Sequence, residues 1–139
     1  MPRATYLADT SAFTRLSKPL VASVMGPLIS QGRIAICAPV AFELCFGART
    51  SRDYDELVDR LASFESVPVT DGDHRRALEV QGLLAKRGQQ RVLSLVDALV
   101  ASIAESRGLT VLHYDNDFEV LAKLTKQPHL WVVPAGTAD

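Results

Sequence analysis

Several acidic residues of this chain lie at positions where α/β proteins commonly bind ligands, namely the ends of predicted strands and the starts of predicted helices. Asp9 and Asp115 each follow a short apolar segment rich in β-forming residues, so each is predicted to lie at the carboxyl end of a strand. In open α/β sheets, ligands bind in the crevice beyond these strand ends. The two strands can be neighbours in a parallel sheet, which would place both carboxylates on one edge.

Further acids are predicted near the same edge. Glu43 lies early in the helix after the second strand, and its apolar neighbours predict a buried helix face. Asp97 is near the start of the least polar helix, where an isolated charge is costly to bury. Asp117 follows Asp115 after one residue. Like charges at close range repel, so such a cluster requires protons or metal ions. Oxygen ligands without cysteine or paired histidines suit Mg²⁺ or Mn²⁺.

Each acid also has a purely structural interpretation. Asp9 could cap the helix that follows it, and Glu43 could be an ordinary exposed glutamate. Residues 94–97 fit a capping box, in which a serine and an acid satisfy free backbone N–H groups. The segment 115–117 is also typical of a helix N-terminus. The prediction of a site therefore depends on four separate elements directing acids to one edge.

Composition and charge limit the class of protein. The 139 residues, 47% of them hydrophobic, predict one compact domain over 1–139. No apolar run is long enough to span a bilayer and the start resembles no signal peptide, so we expect a cytoplasmic protein without membrane contact. The net charge of −1 argues against a wholly basic nucleic-acid surface. Without the five acids the basic residues outnumber the acidic ones, which allows an acidic pocket in a mildly basic surround.

A local zinc or redox site is not indicated. Cys37 and Cys45 lack the spacing of such sites, and we expect reduced thiols in apolar surroundings. The three histidines fall in separate predicted elements.

The order of elements predicts an α/β fold. Short strands are predicted at 5–8, 33–37, 67–69, 109–114 and 130–133. Helices are predicted from residue 20, with Pro27 kinking or dividing the first, then from Pro39 to about 46, over 51–64, 71–87 and 94–106, and after 117. The helix over 94–106 is apolar almost all round and is expected to be buried. Strands alternating with helices predict a mostly parallel sheet covered on both faces.

The acidic segments resemble those of the PIN-domain ribonucleases, and among them the VapC toxins of bacterial toxin–antitoxin pairs. The resemblance is carried by LADTS at 7–11, APVAFEL at 38–44 with GAR at 47–49, VDALVA at 96–101 and LHYDNDF at 112–118. These segments span nearly the whole chain in the family's order. The resemblance implies a three-layer α/β/α sandwich.

The resemblance also implies residue roles. Asp9, Glu43, Asp97 and Asp115 are the implied metal-binding acids, with Asp117 supporting or joining them. Ser11 looks like the family's small polar residue beside the first aspartate. His113 stands where many relatives have threonine, and is either a structural imidazole or a substrate contact. The residues expected to contact substrate are Thr10, Ser11, Arg15, His113 and Asn116.

By this resemblance the chain is a metal-dependent endoribonuclease that cuts structured RNA in tRNA or rRNA loops. One or two Mg²⁺ ions, or Mn²⁺ as a substitute, would activate a water that attacks the phosphodiester bond, leaving 5′-phosphate and 3′-hydroxyl ends. A cognate antitoxin of the VapB type is expected to block the acidic pocket. A homodimer through helices of the first half, including 51–64, would assemble with it into a larger complex. Basic residues considered for phosphate contact are Arg15, Lys18, Arg49, Arg52, Lys86, Arg87 and Arg91.

Two other interpretations are open. A receiver-like phospho-acceptor domain also places aspartates at strand ends and binds Mg²⁺, but no late strand here ends in the lysine that such domains use. An inactive PIN-like interaction module is the other, and the presence of all the acids disfavours it.

Overall fold

Five short strands alternate with seven helices over residues 3–139, the part of the chain that the computed structural model describes. The strands are β1 (Tyr6–Ala8), β2 (Ile34–Cys37), β3 (Glu65–Val67), β4 (Thr110–His113) and β5 (His129–Trp131). The helices are α1 (Thr10–Phe13), α2 (Pro19–Ser30), α3 (Ala38–Phe46), α4 (Ser51–Leu61), α5 (Asp71–Ala85), α6 (Leu95–Arg107) and α7 (Asp117–Thr125).

All five strands form one parallel sheet in the order β3-β2-β1-β4-β5. The first and fourth strands are therefore neighbours, with Ala8 paired to Leu112. Parallel strands carry their carboxyl ends on one edge, so the chain that leaves β1 and the chain that leaves β4 emerge side by side. This confirms the predicted parallel α/β architecture and the predicted adjacency of the two strand ends.

The sheet divides two hydrophobic clusters because alternate strand residues face opposite sides. Leu7 and Val111 belong to the cluster that also contains residues of α3, α5, α6 and α7. Ala8 and Leu112 belong to the second cluster, with residues of α2 and of the C-terminal segment 132–138. Both faces are thus covered, which gives the predicted three layers.

Helix α6 is buried over seven consecutive residues, 98–104, as its apolar sequence predicts. It begins after Ser94, whose hydroxyl accepts from the N–H of Asp97, and it ends at Gly108. Gly108 has φ of +67°, a left-handed conformation that glycine adopts without strain, and it turns the chain directly into β4.

Two element predictions were wrong in detail. Pro27 was predicted to kink or divide its helix, and the division is wrong, because α2 runs continuously from Pro19 to Ser30. The third strand is Glu65–Val67 rather than 67–69, and Pro68 lies just beyond it, because proline has no N–H to donate to a strand ladder.

Cys37 and Cys45 are both free thiols, as expected. Burial raises the pKa of Cys37 to about 11, so its thiol stays protonated at neutral pH. Among residues 3–139, every helix is too short or too polar to cross a bilayer.

Candidate metal centre

Three carboxylates from distant parts of the chain meet at the carboxyl edge of the sheet. Asp9 follows β1, Asp115 lies two residues after the end of β4, and Asp97 is in the first turn of α6. One carboxylate oxygen of each residue lies within 4.8 Å of the other two. This arrangement is what three carboxylates sharing a cation require, and it brings together three of the four acids predicted as ligands.

Asp9 presents one satisfied and one unsatisfied oxygen. Its side chain is 2% exposed, and Oδ2 accepts from the Ser11 N–H at 3.0 Å and from the Ser11 hydroxyl at 2.6 Å. Oδ1 is buried and has no hydrogen-bond partner among residues 3–139. Burial raises the pKa of Asp9, and the charges of Asp115 and Glu43 act in the same direction. A buried oxygen without a donor fits the ligand of a cation.

Asp97 is surrounded by other acids and is partly buried. Burial and the charges of Asp9, Asp115 and Asp117 raise its pKa to about 7. Only the Ser94 half of the predicted capping box is formed, through the bond of 3.1 Å from the Asp97 N–H to the Ser94 hydroxyl. The Asp97 carboxylate therefore belongs to the acidic cluster rather than to the cap of its own helix.

Asp117 joins the cluster from the start of α7. Its N–H donates to Asp115 Oδ1 at 2.9 Å, which orients the Asp115 carboxylate. Burial and the charge of Asp115 raise the pKa of Asp117. Between the two acids, Asn116 is exposed and caps α7 without a side-chain hydrogen bond, so its amide faces solvent beside the cluster.

Glu43 lies at the rim of the cluster and is exposed, so the prediction that it lies on a buried helix face was wrong. Ala41 and Leu44 of the same helix do pack against the core. Glu43 Oε1 accepts from the Thr10 hydroxyl at 2.6 Å. The same helix leaves Phe42 72% and Phe46 83% exposed, since nothing in residues 3–139 covers this side of α3. Glu43 still acts on the cluster through its charge, which raises the pKa of Asp9.

Known proteins resemble this chain in sequence and in fold. The PIN-domain family profile matches residues 6–124. Ribonuclease VapC51 of Mycobacterium tuberculosis is 42% identical over 134 residues, covering 96% of this chain and 97% of that protein. The chain belongs to the PIN-domain family. This membership excludes the receiver-like interpretation.

Solved structures agree with the assignment to the PIN domains. DNA-bound VapBC from Salmonella typhimurium has a TM-score of 0.75 at 21% identity, covering 94% of this chain and 99% of that one. VapBC-5 from M. tuberculosis has a TM-score of 0.64 at 26% identity, covering 93% and 98%. At 21% identity the first comparison establishes the fold alone, and at 26% identity the second shows likeness in both fold and sequence.

Ser11 connects the two central strand ends of this PIN domain. Its hydroxyl donates to Asp9 Oδ2 and accepts from the Tyr114 N–H at 2.9 Å. The carboxylate after β1 is thereby fixed to the backbone after β4. Sequence reasoning placed Ser11 beside Asp9, and the structure adds the bond to Tyr114.

Arg15 is half-buried and makes three interactions within the protein. Its guanidinium donates to the carbonyl oxygens of Ser11 and Ala138, both at 3.0 Å, and lies 4.5 Å from the centre of the Tyr114 ring. The structure therefore brings Arg15 to the C-terminal segment. Lys18 likewise donates to the Asp139 carbonyl oxygen at 2.7 Å.

His113 is fully buried, which gives its ring an internal environment rather than an RNA-facing one. Its Nε2 lies 2.8 Å from Nδ1 of His129. Burial and the neighbouring His129 lower the pKa of His113 to about 3, so the ring is neutral. Sequence reasoning missed His129 because the contact crosses the β4–β5 pairing. The sequence signal that could have revealed the contact is the two-residue spacing of 111 and 113 on one strand and of 129 and 131 on the other, which places all four side chains on one face of the sheet.

The donor set of this PIN domain fits a hard divalent cation. The converging ligand atoms are all carboxylate oxygens, one of them the unsatisfied Asp9 Oδ1. Mg²⁺ and Mn²⁺ favour such ligands, whereas zinc sites usually contain histidine or cysteine. Among residues 3–139, the group of converging ligand atoms contains no histidine nitrogen, and Nε2 of His113 faces Nδ1 of His129.

Proposed function

We propose that this chain is a VapC toxin: a single PIN domain over residues 1–139 that acts as an Mg²⁺-dependent endoribonuclease on structured RNA. The observation that carries the proposal is the convergence of Asp9, Asp97 and Asp115, with the buried Asp9 Oδ1 lacking a donor. The relative VapC51 is named a ribonuclease, which supports the reaction class.

The acidic side chains and Ser11 have different roles in binding the ion. Asp9, Asp97 and Asp115 would hold Mg²⁺, or Mn²⁺ in its place, with Glu43 and Asp117 at the rim. When bound, the ion polarises a phosphate oxygen and lowers the pKa of the attacking water. Ser11 engages Asp9 Oδ2 with two bonds and so leaves Oδ1 free as a ligand. Asp97, with its raised pKa, releases its proton when a cation binds, since ligating carboxylates must be ionised.

The substrate class is proposed from the general features of RNA recognition. Sequence-specific RNA recognition usually targets loops whose bases are unstacked, so we propose a tRNA or rRNA loop as the substrate. Thr10 and Asn116 border the cluster and could orient the RNA backbone. Because the nucleophile would be water, the products are expected to have 5′-phosphate and 3′-hydroxyl ends.

Partners are proposed from the exposed apolar surface of α3 and α4. Phe42, Phe46, Tyr54 and Val58 are exposed there and line, with neighbouring residues, a groove of about 480 Å³. We propose that this surface is where the chain forms a homodimer and a larger complex with a VapB-type antitoxin. The solved VapBC structures from S. typhimurium and M. tuberculosis support an antitoxin partner. The antitoxin would place an arginine against the acidic cluster.

Cleavage of total cellular RNA tests the proposal. The purified chain is incubated with Mg²⁺, with EDTA, and as Asp9→Asn, and the new ends are mapped. Discrete cuts that depend on Mg²⁺ and on Asp9, with 5′-phosphate ends, are expected. Leu78→Gln on the exposed side of α5 is the matched control and should cleave like the wild type. Products with 2′,3′-cyclic phosphate would contradict attack by water, and no cleavage of any RNA would favour an inactive interaction module.

A further inference from the structure

His113 and His129 form a pair beside the acidic cluster, and the function proposed above leaves both without a role. His113 is the last residue of β4 and is fully buried. Across the parallel β4–β5 ladder, Val111 pairs with His129 and His113 with Trp131. Residues two apart on a strand share a face, so both imidazoles project from the same side of the sheet. Their facing nitrogens are 2.8 Å apart.

The hydrogen bonds around His113 assign its proton. The backbone N–H of Asp115 donates to His113 Nδ1 at 3.1 Å, so this nitrogen carries a lone pair. The proton is then on Nε2, which donates to His129 Nδ1. By the same reasoning, a neutral His129 carries its proton on Nε2. Donation therefore runs in one direction, from the Asp115 backbone through His113 to His129.

Aromatic side chains hold the His113 ring in this orientation. The ring centres of Phe118 and Trp131 lie 4.9 Å and 5.0 Å from that of His113. A flipped ring would present a carbon atom to the Asp115 N–H and leave this partly buried donor without an acceptor. A buried donor without an acceptor is unfavourable, so the observed orientation of the ring is favoured.

The hydrogen bond from the Asp115 N–H to the His113 side chain has the spacing of an Asx or ST turn. Asparagine, serine and threonine side chains accept from the N–H two residues later in Asx and ST turns. His113 makes the same bond with an imidazole, whose second nitrogen reaches a neighbouring strand. The residue fixed in this way is Asp115, whose carboxylate meets those of Asp9 and Asp97.

We propose that the His113–His129 pair is a positioning device for Asp115, a role that rests on the proposed metal-binding function of the cluster. His113 Nδ1 holds the backbone of residue 115 so that its carboxylate faces Asp9 and Asp97. His129 holds His113 in the tautomer that can accept the bond. Neither histidine contacts the cation or the RNA.

Two substitutions of His113 separate positioning from packing. His113→Asn keeps an acceptor for the Asp115 N–H but loses ring volume, whereas His113→Leu fills more of the space and has no acceptor. The affinity for Mn²⁺ is measured by calorimetry on the RNA-free protein, and stability by urea unfolding. We expect His113→Leu to bind Mn²⁺ about 10- to 100-fold more weakly than the wild type, since losing a group that hydrogen-bonds to a metal-ligating residue has effects of this size. The Mn²⁺ affinity of His113→Asn should stay within about threefold of the wild type.

The two variants discriminate between positioning and packing because the expected order of their stabilities is the reverse of the expected order of their Mn²⁺ affinities. His113→Asn leaves a cavity and is expected to be the less stable variant. If His113 only fills space, metal affinity should follow stability and His113→Asn should bind worse. An equal fall in metal affinity in both variants, or a fall only in His113→Asn, would overturn the proposal.

Two further measurements do not require a change at the buried ring. ¹⁵N NMR of the wild type should place the proton of His113 on Nε2, and a proton on Nδ1 would overturn the proposal. His129→Leu removes the acceptor, so it should allow the second His113 tautomer and weaken Mn²⁺ binding. His129→Asn retains an acceptor and should preserve both the tautomer and the Mn²⁺ affinity. His74→Asn, at an exposed position of α5, is the control and should change neither quantity.

The failure of this inference is distinguishable from the failure of the proposed function. If the wild-type chain binds no Mn²⁺, the metal site itself is wrong. If the wild type binds Mn²⁺ and all His113 and His129 variants bind it equally well, the site is correct and the positioning role is wrong.

Discussion

Asp73 and Asp97 are each the third residue of a helix, in α5 and α6, yet their carboxylates have opposite environments. Each follows a serine or threonine cap. The Asp73 carboxylate completes its capping box by accepting from the Thr70 N–H at 3.0 Å, and it accepts from the Ser106 hydroxyl at 2.9 Å. Burial raises the Asp73 pKa, but these bonds outweigh it and the net shift is downward. The Asp97 carboxylate instead faces three other acids, and its pKa is raised to about 7.

Substituting both aspartates by asparagine should therefore have opposite effects. Asp97→Asn removes a mutually repelling charge, so the metal-free protein should become more stable at pH 8 while RNA cleavage falls by about 100-fold or more. Asp73→Asn weakens a cap, so stability should fall by about 1 kcal/mol with cleavage unchanged. Urea unfolding in EDTA and RNA cleavage measure the two effects. An equal fall in cleavage in both variants would contradict the assignment of the site.

The raised pKa of Asp97 also predicts how stability depends on pH. A carboxyl whose pKa rises from 3.8 to about 7 on folding holds its proton more tightly in the folded state. Its stabilising contribution is present while the proton is bound and is lost as the pH rises through that interval. In EDTA, Tm should thus be lower at about pH 8 than at about pH 5, after correction with Asp97→Asn. Adding Mg²⁺ at the higher pH should recover the loss, because the cation replaces the proton. A Tm difference that is unaltered in Asp97→Asn would assign the effect to other groups.

Tyr114→Phe should loosen the C-terminal segment. The Tyr114 hydroxyl accepts from the N–H groups of Gly136 at 2.7 Å and Ala138 at 3.0 Å, and donates to Asp139 Oδ1 at 2.7 Å. Without it, two backbone donors lose their partner, at a cost of about 1–3 kcal/mol. Hydrogen exchange of residues 134–139 should accelerate. Tyr54→Phe in α4, where the side chain is exposed, serves as the control, and exchange that rises equally in both variants would argue against the role of this hydroxyl.

The basic segment before α6 should contribute to RNA binding. Lys86, Arg87 and Arg91 are exposed and form no ion pair among residues 3–139, whereas Arg52 is paired with Glu56 at 3.4 Å. In an Asp97→Asn background, where cleavage is slow, replacing the three by alanine should weaken RNA binding. The slope of log affinity against log salt should fall by about 0.7 for each phosphate that the variant no longer neutralises. Arg52→Ala should leave the slope unchanged. An unaltered slope in the triple variant would remove this segment from the RNA surface.

Local sequence was sufficient to predict the acids at strand ends. A run of β-forming residues followed by a turn-forming aspartate marks the end of a strand at Asp9 and Asp115, and a parallel sheet aligns such ends on one edge. The burial of α6 followed in the same way from apolar residues on all its faces. The bounds of β3 were misplaced because the apolar pattern outweighed the missing N–H of Pro68.

Interactions between elements were beyond local reasoning. Glu43 has apolar neighbours in sequence, but its exposure depends on what packs against α3, which the neighbours do not record. Arg15 was considered a phosphate contact from its charge alone, and nothing in the local sequence indicated that it binds a carbonyl oxygen more than a hundred residues away.

Backbone preferences over a few residues place acids at two strand ends and at helix starts, so these positions can be predicted from local sequence. The contact between Asp97 and Asp9 cannot, because Asp73 has the same helix position and does not join the cluster. The contact between His113 and His129 likewise depends on the fold. Strand order and register set which side chains are neighbours, and both arise from the packing of the whole chain rather than from any local segment.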